Sequence, residues 1–282
     1  TVKQFVNLEE VIASKSPRLP KLIPGFIIRY LKRVIHQDKV NDTLNRLEGL
    51  QGLAFVDAVL GEFGARIIVT GSERIPAGRA IITANHPLGG LDGLALMSVV
   101  GKVRKDIVFP VNDLLMNLPN VRGLFIPINK HGSNAANVGI FDDTFASDKL
   151  VLYFPAGLCS RKKGGRIMDL DWKKGIITRA RRYQRDIVPV HISGRNSNFF
   201  YNLANARTAL GIGTNIEMLY LVDEMVKQKD QEIRITFGKP VPYTSFDRTF
   251  RDTDWAEKLR QHTYLLEHDP DLAFDPAIKI SD

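Results

Sequence analysis

One imidazole and one carboxylate stand in the stretch A-N-H-P-L-G-G-L-D-G, residues 84–93, as His86 and Asp92 with five residues between them. A carboxylate that accepts from one imidazole nitrogen fixes the tautomer and leaves the other nitrogen as a general base. The same pair has a blander use, in which His86 closes a turn and Asp92 caps the helix that follows. A rival chemistry starts from Cys159, the single cysteine of the chain, as a covalent nucleophile with His86 as its base. Buried lone cysteines are more often inert. No Cys/His spacing of the kind that holds a metal occurs.

The elements around this stretch are those that present chemistry. A-I-I-T, residues 80–83, predicts a short buried strand, and the apolar run at 94–100 predicts a helix. A strand that stops at a loop opening a helix is where open α/β folds place reactive groups. The arrangement recurs at L-V-L-Y-F, residues 150–154, which runs into P-A-G-L-C-S-R at 155–161. Two such loops at the carboxyl ends of parallel strands face one crevice. Further strands are expected at 65–70, 107–111, within 121–129, at 187–192 and at 233–237. Helices are expected at 7–13, 21–37, 40–46, 53–63, 135–147 and 255–268. The alternation predicts an α/β fold, a mainly parallel sheet with helices on both faces, preceded by an N-terminal helical segment. The organisation expected is a helical segment over 1–64, a catalytic domain over 65–245, and a C-terminal helix and tail over 246–282.

Composition excludes several classes. With 44% hydrophobic and 25% charged residues over 282 positions, the chain can bury an ample core. One cysteine excludes an internal disulfide framework. No apolar run approaches the roughly 20 residues of a spanning helix, and no signal-peptide pattern is present, so a cytoplasmic protein is expected. The formal charge of +8 is concentrated at residues 161–185, where ten Lys/Arg face only Asp169 and Asp171. Such a window attracts anionic lipid, nucleic acid or an acidic protein, or is simply a solvated face. Trp172 and Tyr183 are interleaved there, but no nucleic-acid-binding module surrounds them, and a nucleic-acid partner is not expected. Residues 21–37, K-L-I-P-G-F-I-I-R-Y-L-K-R-V-I-H-Q, alternate cations with large apolar groups. That pattern suits the headgroup boundary of an anionic membrane surface, or a helix packed on its own domain.

Four ordered stretches resemble the blocks of the glycerolipid acyltransferase family: Asn85-His86 followed by Asp92, L-F-I-P-I-N at 124–129, F-P-A-G at 154–157 and I-V-P-V at 187–190. The resemblance implies transfer of an acyl group from an acyl thioester to a lipid hydroxyl, with His86 as base and Asp92 as its orienting acid. It implies no metal and no resident cofactor; the co-substrate is a thioester of acyl carrier protein or coenzyme A. It places Asn85, Asn129, Lys130, Pro155, Gly157 and Arg161 around the substrates, with main-chain amides near Gly157 facing the oxyanion. Two departures stand out. The family's usual first block has four residues between His and Asp, against five here. Its third block carries a Glu and a Thr-Arg, where this chain has Ala156, Leu158 and Cys159. These features are more similar to the hemolysin-like branch that acylates lyso-aminolipids, the lyso-ornithine or lyso-glycine lipids. An acceptor without phosphate is therefore expected ahead of 1-acylglycerol-3-phosphate. The protein is expected at the inner face of the cell membrane, bound peripherally. A catalytically silent lipid-binding protein is the reading from another class, and the presence of both His86 and Asp92 speaks against it.

Overall fold

The aliphatic runs of the sequence form one seven-stranded sheet. The computed structural model describes residues 4–15, 23–111, 118–127 and 135–278. Its strands are β1 (Arg66–Thr70), β2 (Ala80–Ala84), β3 (Ile107–Val111), β4 (Phe125–Pro127), β5 (Leu150–Tyr153), β8 (Asp186–Ile192) and β9 (Glu232–Phe237), in the order β1-β9-β8-β2-β5-β3-β4. Between β5 and β8 lies a separate hairpin of β6 (Arg161–Lys163) and β7 (Arg166–Met168). All neighbours in the large sheet run parallel except β8 and β9. This is the mainly parallel sheet that the sequence predicts.

The period of two along β2, β5 and β8 explains why both faces are covered. Ile82, Leu152 and Val188 point into one core, shared with Phe55 and Val56 of α4 (Gly52–Glu62) and with Leu96 and Val100 of α5 (Leu91–Val103). Ile81, Val151 and Ile187 point into the other, with Ile176 and Ile177 of α7 (Gly175–Arg182) and Trp255 and Leu259 of α10 (Asp252–Leu265). Strands buried on both faces read as continuous apolar runs, which is why they were legible.

The N-terminal helices are α1 (Leu8–Lys15), α2 (Gly25–Val34) and α3 (Gln37–Arg46), followed by α4. Leu44 of α3 and Leu60 of α4 belong to the same core as the sheet, so this part of the chain packs on the domain. The single helix expected over 21–37 ends at Val34. His36 there takes a left-handed φ of 49° and turns the chain into α3. Its Nε2 lies 2.9 Å from Asp223 Oδ1, which ties this elbow to α9 (Leu221–Lys227). The remaining helices are α6 (Ala135–Ala146) and α8 (Asn198–Ala209). The hairpin, α7, α8 and α9 were not anticipated from sequence. Among the described residues, no helix is long and apolar enough to cross a membrane.

Candidate active site

Asp92 is the second residue of α5, and its side chain is fully buried. The preceding loop wraps around its carboxylate. Oδ2 accepts from the main-chain N–H of Leu88 at 2.8 Å and of Gly89 at 3.3 Å, while Oδ1 accepts from Gly93 N–H at 2.9 Å. Gly89 permits this wrap: its φ is +83°, and a Cβ there would stand 2.6 Å from Leu221 Cδ2. The five-residue spacing between His86 and Asp92 is thus accommodated by a left-handed glycine. Burial opposes the ionised carboxyl, but the charge and hydrogen bond of His86 and the amides of Leu88 and Gly93 outweigh it. Asp92 is held below the usual carboxylate range.

His86 Nδ1 lies 2.9 Å from Asp92 Oδ2, so Nε2 is the nitrogen left for a substrate. The imidazole stacks on Phe154 and keeps 15% of its side chain accessible. Burial disfavours the imidazolium; the charge and hydrogen bond of Asp92, helped by the charge of Asp169, more than offset it, against a smaller opposing effect of Arg161. The net effect raises the His86 pKa.

The second Pro/Gly loop and the hairpin that follows it grip the main chain of His86 from both ends. Ser160 N–H donates to the His86 carbonyl at 2.7 Å, and His86 N–H donates to Asp169 Oδ1 at 3.0 Å. The two loops therefore meet as the topology predicts. Asp169 was not recognised in the sequence, where it counted only as a countercharge. The available signal was K-G-G-R at 163–166, a Gly-Gly hairpin turn that folds β7 back on β6 and delivers Asp169 to the site.

Other expected site residues take different places. The Asn85 amide is engaged with β8: Nδ2 donates to Ile192 O at 2.9 Å and Oδ1 accepts from Ile192 N–H at 2.7 Å. It brackets β2 against β8. Gly157 N–H donates to Phe154 O at 3.1 Å and closes a turn, which removes this amide from the expected oxyanion role. Pro155 lies within that turn and is buried, its carbonyl accepting from Lys173 N–H at 3.2 Å. Arg161 is 8% exposed; its guanidinium donates to Cys159 O at 2.6 Å and to the fully buried Glu217 at 2.7 Å. The geometry gives it a structural partner rather than an open headgroup site. Asn129 and Lys130 lie outside the described residues.

Cys159 is fully buried, and burial pushes its thiol up to about 11 despite the adjacent Arg161. A thiolate nucleophile is disfavoured there. The basic window is also less open than its sequence implies. Arg185 is fully buried against the carbonyls of Phe145, Ala80 and Lys149, and Arg181 pairs with Asp252. Lys163 and Lys173 remain exposed and line a cleft of about 610 Å³ beside Gly157.

A partly open imidazole can take a proton from a hydroxyl, and a buried carboxylate behind it stabilises the imidazolium that results. The chain is 43% identical over 265 residues to the lyso-glycine lipid O-acyltransferase of Phocaeicola vulgatus, covering 93% of this chain and 95% of that protein. It is equally identical, over the same length, to the lyso-glycine lipid O-acyltransferase of Bacteroides thetaiotaomicron, covering 97% of it. The crystal structure of the 1-acyl-sn-glycerophosphate acyltransferase PlsC from Thermotoga maritima aligns with a TM-score of 0.47 at 17% identity, covering 85% of this chain and 96% of that one. A family profile described as Acyltransferase matches residues 10–273, and with these relatives it shows that the chain belongs to the acyltransferase family.

Proposed function

We propose that this acyltransferase moves a fatty acyl group from a thioester to the hydroxyl of an N-(3-hydroxyacyl) amino acid, with lyso-glycine lipid as the preferred acceptor. The observation that carries this reading is the 43% identity, along 93% of the chain, to two proteins of that name. His86 Nε2 takes the hydroxyl proton as the oxygen attacks the thioester carbonyl. The C–S bond breaks, an ester forms, and the imidazolium returns its proton to the departing thiolate. Asp92 fixes the tautomer and stabilises the imidazolium.

The donor is a thioester of acyl carrier protein or coenzyme A. Lys163 and Lys173, on the cleft beside Gly157, suit the phosphate that both carriers bear. The chain works at the inner face of the membrane, bound peripherally through α2, where Phe26 and Tyr30 are 65% and 49% exposed beside Arg29 and Arg33. The test offers N-(3-hydroxyacyl)glycine and lysophosphatidic acid in competition for one acyl thioester, with products identified by mass spectrometry. The acyloxyacyl glycine is expected to dominate. Dominant phosphatidic acid would overturn the acceptor assignment.

A further inference from the structure

Asp169 is 4% exposed and receives three donors. Oδ1 accepts from His86 N–H at 3.0 Å and from Ser160 Oγ–H at 2.7 Å, and Oδ2 accepts from Trp172 Nε1–H at 2.9 Å. Three donors around one carboxyl match the ionised form, which only accepts. The main chain of Asp169 is itself held by α10: its N–H donates to Tyr264 Oη, and its carbonyl accepts from Arg260, each at 2.8 Å. A chain of contacts thus runs from the C-terminal helix through Asp169 to the backbone of His86. Asp92 does not duplicate this role, because it grips the imidazole and not the main chain.

We propose that Asp169 is a positioning residue for the general base, fixing the His86 main chain and supplying a second buried negative charge behind the imidazole. The proposal rests on the general-base reading of His86. The charged and titratable groups around the pair are Asp92 on α5, Cys159 and Arg161 at the start of the hairpin, and Tyr264 and Arg260 on α10. Asp92 and Asp169 favour the imidazolium and Arg161 opposes it. Burial pushes the Asp169 carboxyl up on balance, and the hydrogen bonds of Ser160, Trp172 and His86, with the His86 charge, offset part of that rise.

Asp169→Asn keeps the oxygen that faces His86 and Ser160 but sets an NH₂ against the Trp172 N–H. Trp172→Phe removes that clash, so the double variant isolates the loss of charge. We expect Asp169→Asn, alone and with Trp172→Phe, to lower kcat about 10- to 100-fold. Its kinetic acid limb should move to lower pH, and the His86 imidazole, followed by NMR in ¹³C-histidine-labelled protein, should titrate lower as well. Trp172→Phe alone should keep the wild-type limb. A folded double variant with wild-type kcat, acid limb and His86 titration would overturn the proposal while leaving the general-base reading intact. Full activity in His86→Ala would sink that reading and this proposal with it.

Discussion

The imidazole of His86 lies on the ring of Phe154, with centroids 4.1 Å apart and planes inclined by 19°. Phe154 in turn meets Phe109 edge-on at 5.2 Å, and Phe109 packs on Phe125. The plane of the base is therefore set by aromatic side chains carried on β3, on β4 and just beyond β5. We expect Phe154→Ala to lower kcat about two- to tenfold, the range of an aromatic contact of roughly 0.5–1.5 kcal/mol, with a smaller change in KM. Steady-state kinetics at saturating donor measure both. An unchanged kcat in a folded variant would mean that Asp92 alone orients the ring.

The pH dependence follows from the pair. The His86 pKa is raised, and the base must be neutral to act, so kcat/KM should climb with pH through a midpoint above the ordinary histidine value of about 6.5. Asp92→Asn removes the carboxylate charge that favours the imidazolium, so its midpoint should fall and its rate should drop. His86→Ala should lose about 10²–10⁴-fold. Cys159→Ala should remain active. A dead but folded Cys159→Ala would revive covalent catalysis.

Stability should respond to pH through other histidines. Burial pushes His191 and His262 down to about 4. Each stays neutral in the folded protein where the unfolded chain would bind a proton. Their support is complete above about pH 6.5 and is lost as pH falls toward 4, by up to roughly 3 kcal/mol each. His86, with its raised pKa, acts oppositely: its stabilisation is full below about 6.5 and fades as pH rises through its folded value. Urea unfolding at pH 4.5 should therefore give a lower midpoint than at pH 7, and His262→Leu should shrink that difference. An equal difference in the variant would remove His262 from the account.

Much of this was legible because central strands announce themselves. β2, β3, β5 and β8 are apolar on both faces, and each was found to within a residue of its bounds. The His86–Asp92 pair sits within one loop and needed only local reasoning. Asp169 is 83 residues from the backbone amide it holds, and no periodicity reports such a contact. α7 was hidden by its charges, since only Ile176, Ile177 and Ala180 face the core. On α2 the alternation of cations and large apolar groups does not tell which apolar residues face outward: Ile28 is 6% exposed, whereas Phe26 and Tyr30 are exposed.

That difference changes how membrane binding should be probed. Phe26→Glu with Tyr30→Glu should weaken sedimentation with anionic liposomes and lower the melting temperature only slightly, because both side chains are exposed and the one bond lost is the exposed hydroxyl contact of Tyr30 with Tyr220. Ile28→Glu buries a charge and should instead destabilise the fold by several kcal/mol. Unchanged liposome binding in the folded double variant would assign α2 a packing role only.

Arg161 separates a structural role from a headgroup role. Its guanidinium lies against Cys159 O and the fully buried Glu217, which also accepts from Arg207 Nε at 2.7 Å. Glu217 belongs to the short helical turn Ile216–Tyr220 that leads into α9, the helix whose Leu221 packs over Gly89. The cluster therefore fastens this segment over the catalytic loop. Removing one member of a buried pair leaves the other charge uncompensated, so Arg161→Ala should lower stability by about 3 kcal/mol, moderated because Arg207 stays on Glu217. Replacing both partners by methionine, Arg161→Met with Glu217→Met, should recover much of that loss, since Arg207 is close enough to solvent to be hydrated. In every folded variant of the series, acceptor KM should stay within about threefold of wild type, because a group engaged by Glu217 contributes little to headgroup binding. Thermal melts and acceptor titrations on the same preparations decide the matter. A tenfold rise in acceptor KM with an unchanged melting temperature would show that Arg161 leaves Glu217 to grip the headgroup.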